Sequence, residues 1–492
     1  MPPPELLNPP AQPVAWNPAR LLLMSWHFPP GQGAGALRWQ KLAALAAERG
    51  WALDVVTAHP DTLPSADADR LRELPPGTRV FGVRAPARPL RDAAGRIRRA
   101  LTVLRRSAAN ASASPVTPSP FHPFTPSPPH PFPPDAGLAW RADLRWSASP
   151  RALARALRAW RAFADEDGWA RAAQRAAGEV VDPALHRAVV TCGPPHMVHG
   201  AGARVARSIG VPLVMDMRDP WSLAPATLRA TGSPLWYALA ERYERAAVRA
   251  AALVVANTAA AAEALRAAHP RAAERIVAVM NGCDDEPLPA RREEGRFVVA
   301  YAGSIYIDRD PRALFRAAAA VVRETGIGPE RFGMEFVGHA EAFGGTPLRA
   351  LAEAEGIGGY VSVHPRRPRA EALRMLAGAS VLLSLPQGVD LAIPSKLFEY
   401  MQFPAWVLAM AAPGSATERL LRGTDADVVA PGDEAALARA LRARLAQWTA
   451  GERPRPLNAD GRFSRRRQAD ALFREIEART GAPGAPRQGR AA

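Results

Sequence analysis

At 492 residues the chain is longer than one ordinary domain, so two hydrophobic cores are expected, and 48% hydrophobic against 22% charged residues is the balance of a folded globular chain. The net charge of +16 favours anionic partners, with peripheral contact to an anionic membrane face among them. It comes almost wholly from arginine, Lys41 and Lys396 being the only lysines, and no basic stripe interleaves with aromatics, which argues against nucleic acid.

Residues 1–17 are rich in proline and read as a disordered tail. The first domain is expected over 18–290. It opens with a strand at 20–26, a glycine-rich turn, a helix whose Trp39, Leu42, Leu45 and Ala46 form one apolar stripe, and a strand at 53–58. Gly31, Gly33 and Ala36 satisfy G-x-G-x-x-A, yet residues 27–30 separate them from the strand, so the tight turn onto a dinucleotide pyrophosphate is lost. The turn reads as a substrate loop bringing Gly33, Gly35 and Arg38 to a cleft, or as a purely structural turn.

Residues 107–134 are too dense in proline for helix or central strand; HPF occurs there twice. This stretch reads as a disordered surface insertion, with a proline-motif partner surface as the alternative. Beyond it come a helix at 151–178, a strand at 186–193, a helix at 196–209, a strand at 212–218, a helix at 237–251 and strands at 253–258 and 276–282.

The second domain is expected over 291–455. Strands at 297–304, 334–339, 360–365, 380–385, 406–411 and 427–431 alternate with helices, the last helix carrying Leu437, Leu441 and Leu445 on one face. A final helix within 456–480, capped by Ser464 and apolar at Ala469, Leu472, Phe473 and Ile476, is expected to pack back onto the first domain, leaving 481–492 as a disordered tail. Two runs of repeated βα units predict two facing, doubly wound Rossmann-like α/β domains, whose ligands bind at the carboxyl ends of the strands.

The stretch 388–403, GVDLAIPSKLFEYMQF, follows one such strand. Ser395 is a good N-cap, Pro394 sets the direction of the helix, and Leu397, Phe398 and Met401 are apolar at helical spacing. Lys396 falls in the first turn, where the helix dipole disfavours a cation unless an anion is also bound. A phosphate site with Glu399 accepting from sugar hydroxyls, and a capped surface helix, both fit these residues. Cys192 and Cys283 lie far apart, which suits a reducing compartment and no metal cluster. There is no signal-peptide pattern and no apolar run of membrane-spanning length, so a cytoplasmic protein is expected, with any membrane contact at the inner face.

FPPGQGAGALRW near the start, PDAGLAW at 134–140, the run from 189 to 221 ending in MDMRDPW, NGCDD at 281–285, AYAGSIYIDRDP at 300–311 and IPSKLFEYM at 393–401 together resemble the GT-B glycosyltransferases of the family 4 type. The resemblance covers most of 20–477. It implies the GT-B fold, a nucleotide-sugar donor held by the second domain, a glycan or lipid-linked acceptor held by the first, a retaining transfer in polysaccharide biosynthesis, and no cofactor or metal. Glu399 would meet the ribose hydroxyls, Lys396 and Arg309 would flank the diphosphate, and these three are the expected catalytic residues. Gly303, Ser304, Pro394, Ser395 and Leu397 would complete the donor site.

Two departures stand out. The family's first glutamate falls at Leu391, with Asp390 adjacent, and the histidine common after the strand at 212–218 is replaced by Asp216, Arg218 and Asp219. These three and His196 are candidate acceptor contacts; an internal ion pair is the structural alternative for the charged ones. His199, three residues after His196, reads as packing at a helix start. A nucleotide-sugar 2-epimerase on the same fold, and a non-catalytic GT-B-like binding protein, are the alternative functions.

Overall fold

The computed structural model describes residues 3–8, 19–85, 150–223, 234–290, 295–305, 309–386 and 391–484. The proline-rich stretch 107–134, the last residues of the chain and Asp390 lie outside them.

The first sheet has eight strands: β1 (Glu5–Leu6), β2 (Arg20–Ser25), β3 (Ala52–Ala58), β4 (Arg79–Val83), β5 (His186–Gly193), β6 (Leu213–Met217), β7 (Leu253–Ala256) and β8 (Ile276–Ala278). Their order is β1-β4-β3-β2-β5-β6-β7-β8, parallel throughout except for β1, which pairs antiparallel with β4. β1 corrects the reading of 1–17 as wholly disordered, and β4 was not predicted. A two-residue strand has no periodicity to detect; its partner supplies it.

The second sheet is formed by β9 (Phe297–Ala302), β10 (Phe332–Val337), β13 (Val361–His364), β14 (Val381–Ser384), β15 (Trp406–Met410) and β16 (Asp427–Val429), with the small hairpin β11 (Ala342–Phe343) and β12 (Thr346–Pro347) beside it. Its order, β13-β10-β9-β14-β15-β16, is parallel and reverses direction between β9 and β14. The first sheet reverses between β2 and β5 in the same way. In such sheets the crevice at the strand ends beside the reversal is where ligands bind.

Both sheets are buried on both faces, as parallel sheets covered by helices must be. Along β2, Leu21 and Leu23 face one core while Leu22 and Met24 face the other. Along β9, Phe297, Val299 and Tyr301 pack with the helices Arg312–Thr325 and Glu434–Thr449, while Val298 and Ala300 pack against the helix Ser395–Tyr400. The helix Arg465–Thr480 begins with Ser464 accepting from the Arg467 amide at 3.2 Å. Its Ala469, Leu472, Phe473 and Ile476 enter the core of the first domain beside Leu21, Trp39 and Leu42, so the chain crosses back as expected.

A buried charge cluster closes the opposite end of the first sheet. Asp54 on β3 is fully buried and accepts from Arg20 on β2 at 2.8 and 2.6 Å and from Arg79 on β4 at 2.7 and 2.5 Å. His186 on β5 places Nε2 3.1 Å from it. Four neighbouring strands are thus joined through one carboxylate.

Candidate functional site

The candidate site begins where β9 ends. Lys396 donates from Nζ to the carbonyl of Ala302, the last residue of β9. A methyl group at Gly303 would stand 2.6 Å from that Nζ and 2.9 Å from the Tyr301 hydroxyl, so only glycine lets the ammonium sit against the strand end. The room at Gly303 therefore serves the lysine first. The Tyr301 hydroxyl donates to the Ser304 carbonyl at 2.8 Å, and Arg309 Nη1 donates to the same carbonyl and reaches the Tyr301 oxygen, each at 3.1 Å. Lys396, Arg309, Gly303 and Ser304, read from two stretches almost a hundred residues apart, are brought together at the reversal point of the sheet.

The electrostatics follow from this crowding. Burial, then the nearby Arg309 guanidinium, pushes the Lys396 ammonium down to about 8, with Glu399 opposing. Holding two cations close together is unfavourable, and a bound anion would relieve it. Tyr400, which the sequence did not single out, fixes the helix beneath. Its hydroxyl accepts from the Ala302 amide at 2.9 Å and lies 3.2 Å from the Ala302 carbonyl.

Two sequence readings need correction here. Ser395 is not the N-cap: the helix starts at Ser395, and Pro394 occupies the cap without a side-chain hydrogen bond. Leu397 cannot serve a ligand, because its side chain is fully buried and its amide donates to the Pro394 carbonyl at 2.9 Å. Glu399 accepts from Arg369 Nη1 at 2.5 Å, while its side chain remains 22% exposed. Pro394 and Ser395 border the site through the chain direction they set.

Leu391, where the resemblance expects a carboxylate, packs partly buried against the apolar cores of both domains, and its carbonyl accepts from Thr258 Oγ1 at 2.5 Å. Thr258 in turn caps the helix Ala259–Ala268 by accepting from the Ala261 amide at 3.0 Å. This position is an interdomain contact.

In the first domain the candidates separate into two groups. Asp216, at 0% exposure, accepts from Arg38 at 2.9 and 3.1 Å and from the Trp39 indole at 2.8 Å. Arg38 also donates to Asn281 Oδ1 at 3.1 Å and to the Val279 carbonyl at 3.2 Å. Arg38 and Asp216 are therefore an internal ion pair joining the first helix to the ends of β6 and β8. The expectation that they face an acceptor is corrected: the strand-end position was right, but a fully buried carboxylate with three donors has none of its surface left for a ligand.

The second group lies closer to the surface. Arg218 pairs with Asp219 at 3.2 Å and lies over the start of the helix Ala34–Glu48, where a methyl group on Gly35 would overlap its guanidinium at 1.6 Å. Gly35 is needed for that seat. His27, which sequence reading passed over, lies within 4 Å of where a methyl would project from Gly33 or Gly35, and burial followed by Arg218 pushes its ring down to about 4. His196 stacks on Trp221 with ring centroids 5.1 Å apart, and its Nδ1 is 3.4 Å from Nε2 of His199. Burial, then His199 and Arg218, holds His196 well below the usual histidine range. His199 is fully buried, 2.8 Å from the Thr191 hydroxyl, and burial pushes it down to about 3, as packing at a helix start requires. Among the described residues, no group of three or more His, Cys, Asp or Glu could hold a metal ion, and no helix is long and apolar enough to cross a membrane.

No family model matches the chain. Over 191 residues it is 35% identical to D-inositol 3-phosphate glycosyltransferase 1 of Catenulispora acidiphila; the match spans 36% of this chain and 45% of that protein, less than half of the relative's length. Three solved structures align over nearly the whole chain. Sucrose-phosphate synthase from Thermosynechococcus elongatus has a TM-score of 0.56 at 14% identity, covering 94% of this chain and 99% of its own. Anabaena HepE in complex with UDP and glucose has a TM-score of 0.52 at 14% identity, covering 94% and 100%. A UDP-forming trehalose-phosphate synthase from Burkholderia xenovorans has a TM-score of 0.52 at 14% identity, covering 94% and 100%. The fold is that of the GT-B glycosyltransferases: two facing Rossmann-like domains with a C-terminal helix crossing back to the first.

Proposed function

We propose that this chain is a retaining, family 4-type glycosyltransferase that moves a sugar from a nucleotide-sugar donor, UDP- or GDP-linked, to a cell-surface glycan or lipid-linked acceptor at the cytoplasmic face of a membrane. The observation that carries the reading is the convergence of Lys396 and Arg309 at the end of β9. In the transfer, the bond from the anomeric carbon to the diphosphate breaks as the bond to the acceptor oxygen forms. Negative charge then grows on the departing diphosphate, and preorganised cations there stabilise the transition state more than the ground state. The two side chains meet that charge without a metal, and Glu399 accepts from the ribose hydroxyls. Arg218 and His196 border the acceptor side.

Purified protein mixed in turn with UDP-, GDP- and ADP-sugars should show a raised melting temperature with at least one of them, reflecting roughly 2–3 kcal/mol of added stability at a ligand concentration 100 times the Kd. No shift with any member of the panel would remove the reading. Affinity should also depend on pH in a defined direction. Below about 8 Lys396 is charged in the free protein, and above it the proton is lost. Nucleotide diphosphate binding followed by calorimetry should therefore weaken above pH 8, approaching about tenfold per pH unit. Binding that is flat from pH 7 to 9.5 would show that Lys396 does not contact the diphosphate.

Leu391 favours one second reading. A leucine packed between the domains supplies no carboxylate to the donor sugar, which suits a protein that binds nucleotide without turnover. Free nucleoside diphosphate released from a bound nucleotide sugar in the presence of mixed acceptors separates the two.

A further inference from the structure

Four charged side chains form one line from the first domain to the candidate donor site. Lys41, on the helix Ala34–Glu48, donates to Glu286 Oε1 at 2.5 Å. Glu286 lies in the linker between β8 and β9, and its Oε2 is 3.7 Å from Nη2 of Arg369. Arg369 opens the helix Arg369–Gly378 in the second domain and gives its other amino group, Nη1, to Glu399. The linker is held from the crossing helix as well, by Arg465 Nε on Asp284 at 2.5 Å.

The planar guanidinium gives this line its mechanical content. Its two amino groups are fixed relative to one another, so a turn that improves one bond alters the other. Arg369 touches a linker carboxylate with one and the candidate ribose-binding carboxylate with the other. Each of the four side chains is partly exposed, between 22% and 53%, so no link is needed for folding and each is free to shift.

We propose that Arg369 is a positioning residue that orients Glu399 and couples its occupancy to the interdomain linker. The proposal rests on the reading of Glu399 as the ribose contact. A carboxylate accepts about four hydrogen bonds, so ribose hydroxyls can join Arg369 on Glu399 without expelling it. They dilute the charge that Arg369 sees, and the guanidinium moves toward Glu286. Glu286 then loosens its hold on Lys41. By linkage, the domain position that favours the Glu286 contact also favours nucleotide.

Because the chain has only two lysines, one at each end of this line, both ends can be followed at once. Biosynthetic incorporation of [ε-13C]lysine into the full-length protein places an NMR label on Lys41 and Lys396 without adding bulk to either ammonium, assigned with K41R and K396R, and UDP, GDP and ADP are titrated in turn. The expected result is that one nucleotide moves both signals in the wild type. In R369Q and in E286Q it should move Lys396 alone, with affinity about two- to fivefold weaker, as loss of a partly exposed ion pair gives. R369K should restore part of both effects. A Lys41 signal that stays still while Lys396 moves, or that moves equally in R369Q, overturns the coupling and leaves the donor site intact. If neither signal moves with any of the three nucleotides, the donor-site reading falls, and the coupling with it.

Discussion

Replacing Lys396 by methionine should lower kcat/KM for the nucleotide sugar by roughly 10²–10³-fold, the range typical of removing one preorganised donor to a developing oxyanion. The size follows from the placement of the ammonium. It is partly buried, its carbonyl partner is neutral, and the Arg309 guanidinium opposes its charge, so its electrostatic benefit is greatest with an anion present. Methionine keeps the stem's length and apolar contacts while removing the charge, which separates electrostatics from packing. Thermal unfolding without ligand should be unchanged or slightly raised, since a crowded cation is gone. Wild-type turnover in K396M would exclude the site. The conservative change Lys396→Arg is also expected to lower turnover, because the ammonium is already seated closely against Gly303 and the bulkier planar guanidinium would have to shift to take its place.

Asp54→Ala should destabilise the first domain by about 3–5 kcal/mol, seen as a lower urea midpoint by circular dichroism. Burial by itself would raise the Asp54 carboxyl, but hydrogen bonds from Arg79, His186 and Arg20 overcome it and hold the group well below the ordinary carboxylate range. The sign of the pH dependence follows. A group whose folded value is depressed contributes stability that is present above its unfolded value, ordinarily near 3.8, and lost as pH falls through the folded value. Wild type should lose this contribution in strong acid, and the variant should lack it at pH 7. Removing the carboxylate strands Arg20, whose side chain is 8% exposed, without its charge partner. The cluster is at the end of the sheet away from the strand carboxyl termini, so nucleotide affinity of the folded variant should be unchanged. A loss below 1 kcal/mol would show that solvent replaces the carboxylate.

How much of the site was legible varied with the distance over which its parts interact. Lys396 stood out because a cation in the first turn of a helix contradicts a local rule, and such contradictions mark functional sites. Arg369 carried no such signal: thirty residues before Glu399, in a chain crowded with arginine, nothing local sets it apart. Asp216 was located at the end of a strand, but its partner Arg38 is 178 residues earlier. Only the register of β6 beside β5 and the seating of the first helix decide that the two meet, and with that, that Asp216 is structural. Ser395 misled because a serine before an apolar run has the composition of an N-cap, while the fixed backbone of Pro394 moved the helix start by one residue.

The sequence alone determined the two βα runs, the strands buried on both faces, and the return of the last helix, because apolar periodicity is a local property that the solvent enforces residue by residue. It also located Lys396, the lysine of the candidate site in the second domain. Tertiary structure alone decided which charges are partners. Lys396 meets Arg309 across the reversal of the sheet, Arg369 takes Glu399, Arg38 consumes Asp216, and Leu391 becomes a contact between domains. Ion pairs act through space over a few ångströms, and the chain brings residues within that reach only after the strands have taken their order.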